Sequence, residues 1–209
     1  MRRLLRIPYL VAKAFLNRAS VKRMVDETAG TAVPITFDMW FRQQIVGINR
    51  GPYWPVDQAS RVTQWRNIVC GVDVSPGHMP GCYIQGLGRI EIGDYTRISG
   101  NVAIISENHD VYDLSSHLPG RVVIGRYCWL SFGATILPNV SLGDFTIVAA
   151  GAVVTKSFPE GYCVVAGNPA KIIRQLDPDR CVERKNPYEY HGFIKKDDFE
   201  AFRRSELKN

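Results

Sequence analysis

The chain has 209 residues, of which 45% are hydrophobic and 22% charged. That is enough apolar material for one core and too little charge for wholesale disorder. The net charge of +6 and a pI near 9.1 suit an anionic ligand such as a nucleotide, a phosphate or a membrane surface. No dense Lys/Arg run or RNA-binding motif is present, which argues against nucleic acid.

The first 25 residues are basic, with Arg2, Arg3, Arg6, Lys13, Arg18, Lys22 and Arg23 surrounding Leu4, Ile7, Val11, Ala14 and Phe15 at helical spacing. The apolar stretch is too short to span a bilayer, and Lys13 and Arg18 interrupt it. Two readings stand: a helix packed within its own oligomer, or a weak peripheral contact with an anionic membrane through residues 1–25. The aromatic and polar segment from Trp40 to Trp54 is read as packing, with an acceptor cap as its alternative. The cysteines Cys70, Cys82, Cys128, Cys163 and Cys181 are odd in number and lack C-x-x-C spacing. They read as free thiols in a reducing, cytoplasmic setting rather than as disulfides or a zinc site.

From residue 92 an aliphatic side chain recurs every six positions: Ile92, Ile98 and Ile104, then Ile124, Leu130, Ile136, Leu142, Val148 and Val154. Four residues after these come smaller side chains: Thr96, Val102, Cys128, Ala134, Val140, Thr146 and Ala152. A period of six fits neither a helix nor a hairpin meander. It fits short strands joined by tight turns, each sending one aliphatic and one small residue into a stacked core. The two series are out of phase, so residues 110–123 are expected to leave the repeat as a 14-residue loop. A long loop on a regular scaffold is usually functional.

The runs IEIGDYTRISGNVAIISENHD and VVIGRYCWLSFGATILPNVSLGDFTIVAAGAVVTKSFPEGYCVVAGNPAKIIR carry a further signal. Across residues 70–174 the chain resembles the hexapeptide-repeat acyltransferases, in particular the sugar O-acetyltransferase branch with its maltose, galactoside and polysaccharide-modifying members. The resemblance implies an all-β fold: a left-handed parallel β-helix, three hexapeptides per coil, with a protruding loop and short helical segments at both ends. It also implies a homotrimer with active sites between subunits and acetyl-CoA along the groove. The activity implied is direct transfer of an acetyl group to a hydroxyl or amino group of a sugar or saccharide, with no metal. The expected divisions are an N-terminal cap over 1–67, the β-helix over 68–174 and a C-terminal extension over 175–209.

At the coil–loop junction His109 matches the family's catalytic base. A neutral imidazole accepts a proton near neutral pH, as an attacking sugar hydroxyl requires. Asn108 and Asp110 are candidates for orienting the imidazole or touching substrate, with ordinary turn chemistry as the alternative. His117 reads as surface. Gln85 stands where relatives contact the acceptor, often with Asn. Trp129 matches an aromatic beside the thioester arm, and Phe132 holds a usually small position whose backbone N–H is the oxyanion donor. Ala149, Ala150 and Gly151 match a small-residue strip along pantetheine. Thr155, Lys156, Lys171 and Arg174 match positions near the coenzyme, the cations facing its phosphates.

Two rivals share the scaffold. A γ-carbonic-anhydrase-like zinc enzyme needs three suitably spaced histidines, and His78, His109, His117 and His191 do not match that pattern. A non-catalytic assembly scaffold needs neither His109 nor the Val154-Thr155-Lys156 segment. The acceptor itself stays open.

Overall fold

The computed structural model describes residues 18–208. The chain winds into a parallel β-helix with three walls. The first wall holds Arg61–Thr63, Tyr83–Gln85, Ala103–Ile105, Thr135–Ile136 and Val153–Val154. The second holds Ile68–Cys70, Arg89–Ile92, Arg121–Ile124 and Ser141–Leu142. The third holds Arg97–Ile98, Trp129–Leu130, Thr146–Val148 and Cys163–Ala166, and ends in the antiparallel strand Lys171–Gln175. Because the first wall already starts at Arg61, parallel pairing extends upstream of the expected boundary at residue 68.

The six-residue period is the cause of this winding. Thr135 pairs with Val153, Trp129 with Ile147 and Val123 with Ser141, each eighteen positions on, which is three hexapeptides per turn. Of the aliphatic series, all but Ile98 are buried, and all seven of the smaller positions are buried. Ile98 is half-buried because it lies on the last strand of its wall, where the irregular stretch 71–82 replaces a strand in the coil above. Each coil covers the apolar face of the next, which none could bury alone.

The N-terminal end of the core is closed by residues outside the repeat. Trp54 is fully buried and donates its indole N–H to Pro76 O (2.8 Å). Buried Gln43 donates to Pro52 O and Trp54 O, and its Oε1 accepts from Val56 N–H. Tyr53 Oη accepts from Cys70 N–H and its ring meets Phe199 and Phe202. The segment between Trp40 and Trp54 therefore acts as packing.

Two of the helices tie the ends of the chain together. In α1 (Arg18–Thr28), Lys22 pairs with Asp26 and Arg23 with Glu27. Glu27 also meets Tyr190 Oη and Lys195 Nζ of the C-terminal extension, and these partners, Tyr190 foremost, lower its carboxyl to about 2. A short helix, α2 (Phe37–Phe41), follows. The last, α3 (Lys196–Glu206), contributes Phe199 to the same core as Trp54. The basic positions upstream of Arg18 lie outside the described residues. Among the described residues no helix is long and apolar enough to cross a membrane. The five cysteines are free, and burial pushes the Cys128 thiol up to about 12.

Ile104 is fully buried and stacked between Ile84 and Ile136. We expect Ile104→Ala to cost about 2–5 kcal/mol, read as a lowered denaturation midpoint at fixed protein concentration.

Candidate active site

The regular winding is interrupted once between the first and second walls. Glu107–His109 pairs antiparallel with His117–Pro119, placing His109 opposite His117. The excursion is therefore a β-hairpin over 107–119, not a loop over 110–123. Residues 121–123 belong to the second wall, where Arg121 pairs with Arg89. The phase break fixes how many residues are extra, but not where they leave. Antiparallel pairing of the two arms decides that.

The base of the hairpin is locked. Fully buried Ser106 donates its hydroxyl to Gln85 O (2.5 Å) and accepts from Gly88 N–H (2.9 Å). Gly120 N–H donates to Ser106 O, and Arg89 N–H to Gly120 O. Gln85 Oε1 accepts from Glu107 N–H (3.1 Å), so this candidate acceptor ligand anchors the hairpin. Gly88 is required here for close approach: a Cβ would lie 2.1 Å from Gly120 O and 2.5 Å from Ser106 O.

The tip is held by its own turn. Asp110 Oδ1 accepts from the N–H groups of Tyr112 and Asp113, and Asp113 accepts from Ser115 and Ser116. These bonds, the Ser115 hydroxyl first, lower the Asp113 carboxyl. Asp110 is thus a turn residue, as Asp commonly is. Alternation along the strand puts Glu107 and His109 on one face and Asn108 on the other.

His109 is exposed, and its Nδ1 lies 2.7 Å from Leu114 O. A carbonyl only accepts, so Nδ1 carries the proton and Nε2 of the neutral ring holds the lone pair. The ring lies 4.6 Å from that of His117. His117 Nδ1 is 2.6 Å from Glu107 Oε1. Sequence reasoning passed over this pair. The alternating Glu-x-His and His-x-Pro arms around an Asp/Ser-rich turn were the available signal.

The other candidates stand elsewhere on the surface. Trp129 lies on the third wall, 48% exposed, and donates its indole N–H to Ser99 Oγ. Phe132 occupies the turn from the third wall to the first, 59% exposed, its ring against Gly100. Ser131 N–H donates to Val148 O and Gly133 N–H to Gly100 O. Between them the Phe132 N–H has no acceptor among the described residues. One coil on, Gly151 N–H donates to Phe132 O; Ala150 and Gly151 are exposed, and Gly151 faces open space. Ala149 is half-buried. Exposed Thr155 and Lys156 follow the first wall, with Lys156 Nζ over the Phe158 ring. Lys171 and Arg174 lie exposed on the closing antiparallel strand. Within one chain, then, His109 rises from one corner, while Trp129, Phe132 and the small-residue strip lie along the third wall and the next corner.

The remaining histidines are separate. His191 is buried, bonded to Cys70 O and stacked on Phe199, and burial lowers its pKa. Burial also lowers that of His78, which sits in the irregular stretch 71–82. Among the described residues no three His, Cys, Asp or Glu side chains are grouped to hold a metal ion.

Residues 121–156 match the model of the bacterial transferase hexapeptide (six repeats). That stretch of the chain carries the hexapeptide repeat. Over 92 residues it is 38% identical to an Escherichia coli K12 protein named as a colanic acid biosynthesis acetyltransferase, WcaF, covering 43% of this chain and 49% of that one. Over 108 residues it is 33% identical to WbbJ of the same organism, named as a lipopolysaccharide biosynthesis O-acetyl transferase, covering 46% and 55%. The chain spans about half the length of the curated relatives it matches. Its fold is similar to that of a maltose O-acetyltransferase from Clostridium difficile 630 (TM-score 0.55, 24% identity, 81% of this chain and 89% of that one). It is similar also to a galactoside acetyltransferase solved with coenzyme A (TM-score 0.59, 21% identity, 84% and 88%). The shared architecture is the left-handed parallel β-helix.

The locked base makes a test. Gly88→Ala drives a methyl into two carbonyl oxygens, and we expect a loss of about 1–3 kcal/mol with faster proteolysis within 107–119. The same change at exposed Gly151 meets no atom; strain from its positive φ is expected to leave the hairpin's protease resistance unchanged.

Proposed function

We propose that the protein is an acyltransferase that moves the acetyl group of acetyl-CoA directly to a hydroxyl or amino group of a saccharide, with His109 as general base. The observation that carries this reading is the Leu114 carbonyl on His109 Nδ1, which reserves Nε2 for a proton. The acetyltransferase names of WcaF and WbbJ support the reaction class and a role in polysaccharide biosynthesis. The galactoside acetyltransferase solved with coenzyme A supports the donor.

Acetyl-CoA would supply a thioester carbonyl, already activated toward attack. The residues present fit it. Exposed Ala150 and Gly151 leave that corner free of side-chain bulk, and the half-exposed Trp129 offers an aromatic surface on the wall that leads into it. Lys156, Lys171 and Arg174 are exposed toward solvent, where their charge can meet phosphates. His109 takes the proton from the attacking hydroxyl as its oxygen bonds the thioester carbon, and the proton passes on to the sulfur as the C–S bond breaks and coenzyme A leaves as its thiol. The free Phe132 N–H is a backbone donor for the oxyanion, and its side chain does not alter that role. Asp110 and Gln85 then act on the hairpin's shape, and Asn108, on the face opposite His109, is a residue that touches substrate.

His109 and the Phe132 turn lie on different corners of one chain. On this reading the site is completed by a second copy, as in a trimer, with the hairpin of one subunit facing the third wall of its neighbour. The assembly of such copies on an anionic membrane through residues 1–25 is not needed for the chemistry.

Two measurements test this. General-base catalysis is worth about 10²- to 10⁴-fold, so His109→Ala and His109→Asn should each lower turnover of acetyl-CoA with a saccharide acceptor by at least about 10²-fold, leaving coenzyme binding nearly intact. Near-parental turnover in a well-folded variant would remove His109 from the chemistry. Light scattering should give three times the 23.5 kDa chain mass; a monomer at micromolar concentration would sink the shared site.

A further inference from the structure

Glu107, His109 and His117 share one face of the hairpin, and both imidazoles have Nδ1 engaged by the hairpin itself. His109 Nδ1 is taken by a carbonyl and His117 Nδ1 by a carboxylate. That leaves two Nε2 atoms without partners among the described residues, on rings 4.6 Å apart. The Glu107 side chain is only 11% exposed, whereas His117 is 55% exposed. Glu107 is fixed further by its own N–H on Gln85 Oε1. The carboxylate is thus built into the hairpin base, and the imidazole it holds is presented to solvent. A surface ion pair of two mobile side chains would need neither the burial nor the backbone anchor.

We infer that His117 is an acceptor-binding residue. Held by Glu107 beside the base, it hydrogen-bonds the hydroxyl adjacent to the one that His109 deprotonates. The substrate class is therefore a saccharide presenting two neighbouring hydroxyls. This rests on the reading of His109 as general base. A sugar hydroxyl both donates and accepts, so Nε2 of His117 finds a partner in either protonation state. Two imidazoles whose ring centres lie 4.6 Å apart are close enough for each to take one of two adjacent hydroxyls on a pyranose ring. A single imidazole would fix the attacking oxygen but leave the ring free to rotate about it. The second contact holds the ring in one orientation as it binds, an interaction made equally before and during transfer and therefore read in KM. No bond is made or broken at His117. The proton moves from the attacking hydroxyl to His109 alone.

The experiment uses the full chain in its native assembly, with acetyl-CoA and three probes: methyl α-D-glucopyranoside, methyl β-D-galactopyranoside and methyl α-D-mannopyranoside. The acetylated position of each product is found by NMR, and the glycoside lacking the flanking hydroxyl is then compared. In the parent, removal of that hydroxyl should lower kcat/KM by about ten-fold or more. His117→Ala should raise KM for the intact glycoside by a similar factor with kcat within about three-fold, and should lose nothing further with the deoxy probe. His117→Gln, whose amide can bind a hydroxyl, should recover part of the discrimination, and Glu107→Gln should lose part of it. A His117→Ala enzyme that discriminates like the parent overturns the inference. So does one that loses kcat with KM unchanged while His109→Ala stays active, since the base would then be His117. A parent that acetylates a glycoside but is indifferent to the flanking hydroxyl overturns this inference alone. A parent that acetylates none of the three overturns the saccharide reading on which it rests.

Discussion

The interior of this β-helix admits one aliphatic and one smaller side chain per wall in each coil, and almost everything else follows from that constraint. Ile84, Ile104, Ile136 and Val154 stack along the first wall, as Ile92, Ile124 and Leu142 do along the second. A slip of one residue would turn each of these outward and bring inside a side chain that belongs to the outer face. The register is therefore held by every coil at once, and among the described residues the inward positions of the repeat are filled by buried side chains. Chemistry is confined to the outer faces of the walls, to the corners, and to the place where the winding is interrupted.

The corner between the second and third walls shows what the constraint demands of the backbone. Tyr95, Tyr127, Phe145 and Tyr162 all have positive φ there, in the left-handed region. For a non-glycine residue that costs roughly 1–2 kcal/mol. Their rings stack as a ladder with centroid separations of 5.3, 5.0 and 5.2 Å. Aromatic pairs of this kind contribute about 0.5–1.5 kcal/mol beyond area burial, which offsets much of the strain. The ladder also holds the C-terminal extension. Tyr95 Oη donates to Glu189 and accepts from Asn186 N–H, while Tyr127 Oη donates to Arg184 O. The extension is thus tied to the scaffold by the same residues that turn its corners, before it reaches α1 through Tyr190 and Glu27.

The stacked core was legible in the sequence because its period is short and repeated many times. Ile124 to Val154 read directly as an inward column, and the phase break between Ile104 and Ile124 correctly announced an excursion. What could not be read was how that excursion folds. Glu107 and His117 are ten positions apart, and only antiparallel pairing of the arms brings them into contact. Gln85 carries no sequence mark separating an acceptor ligand from a backbone anchor, since its role depends on Glu107 arriving about one coil of chain later. The aromatic ladder was visible in principle, because each member follows a corner glycine. Aromatic residues at positive φ are uncommon enough that the pattern is easily passed over. Gln43 and Trp54 lie outside any period, and their burial depends on the cap that they themselves build.

The hairpin differs from the rest of the surface in how its stability is distributed. Its base is fixed to two walls through Ser106, Gly88, Gly120 and Gln85, whose bonds are buried or part-buried. Its tip is held only by exposed Asp–Ser contacts and carries Val111, Tyr112 and Leu114 in solvent. His109 lies between these regimes: its strand belongs to the base, but its Nδ1 partner, Leu114 O, belongs to the tip. The orientation of the imidazole therefore depends on the tip being closed. His117 has no such dependence, since Glu107 is part of the base. Contact of the apolar tip with a neighbouring subunit would bury Val111, Tyr112 and Leu114 and hold Leu114 O in place. On the proposed reading, assembly would then do two things at once: bring the Phe132 turn toward the hairpin and fix the tautomer of its base.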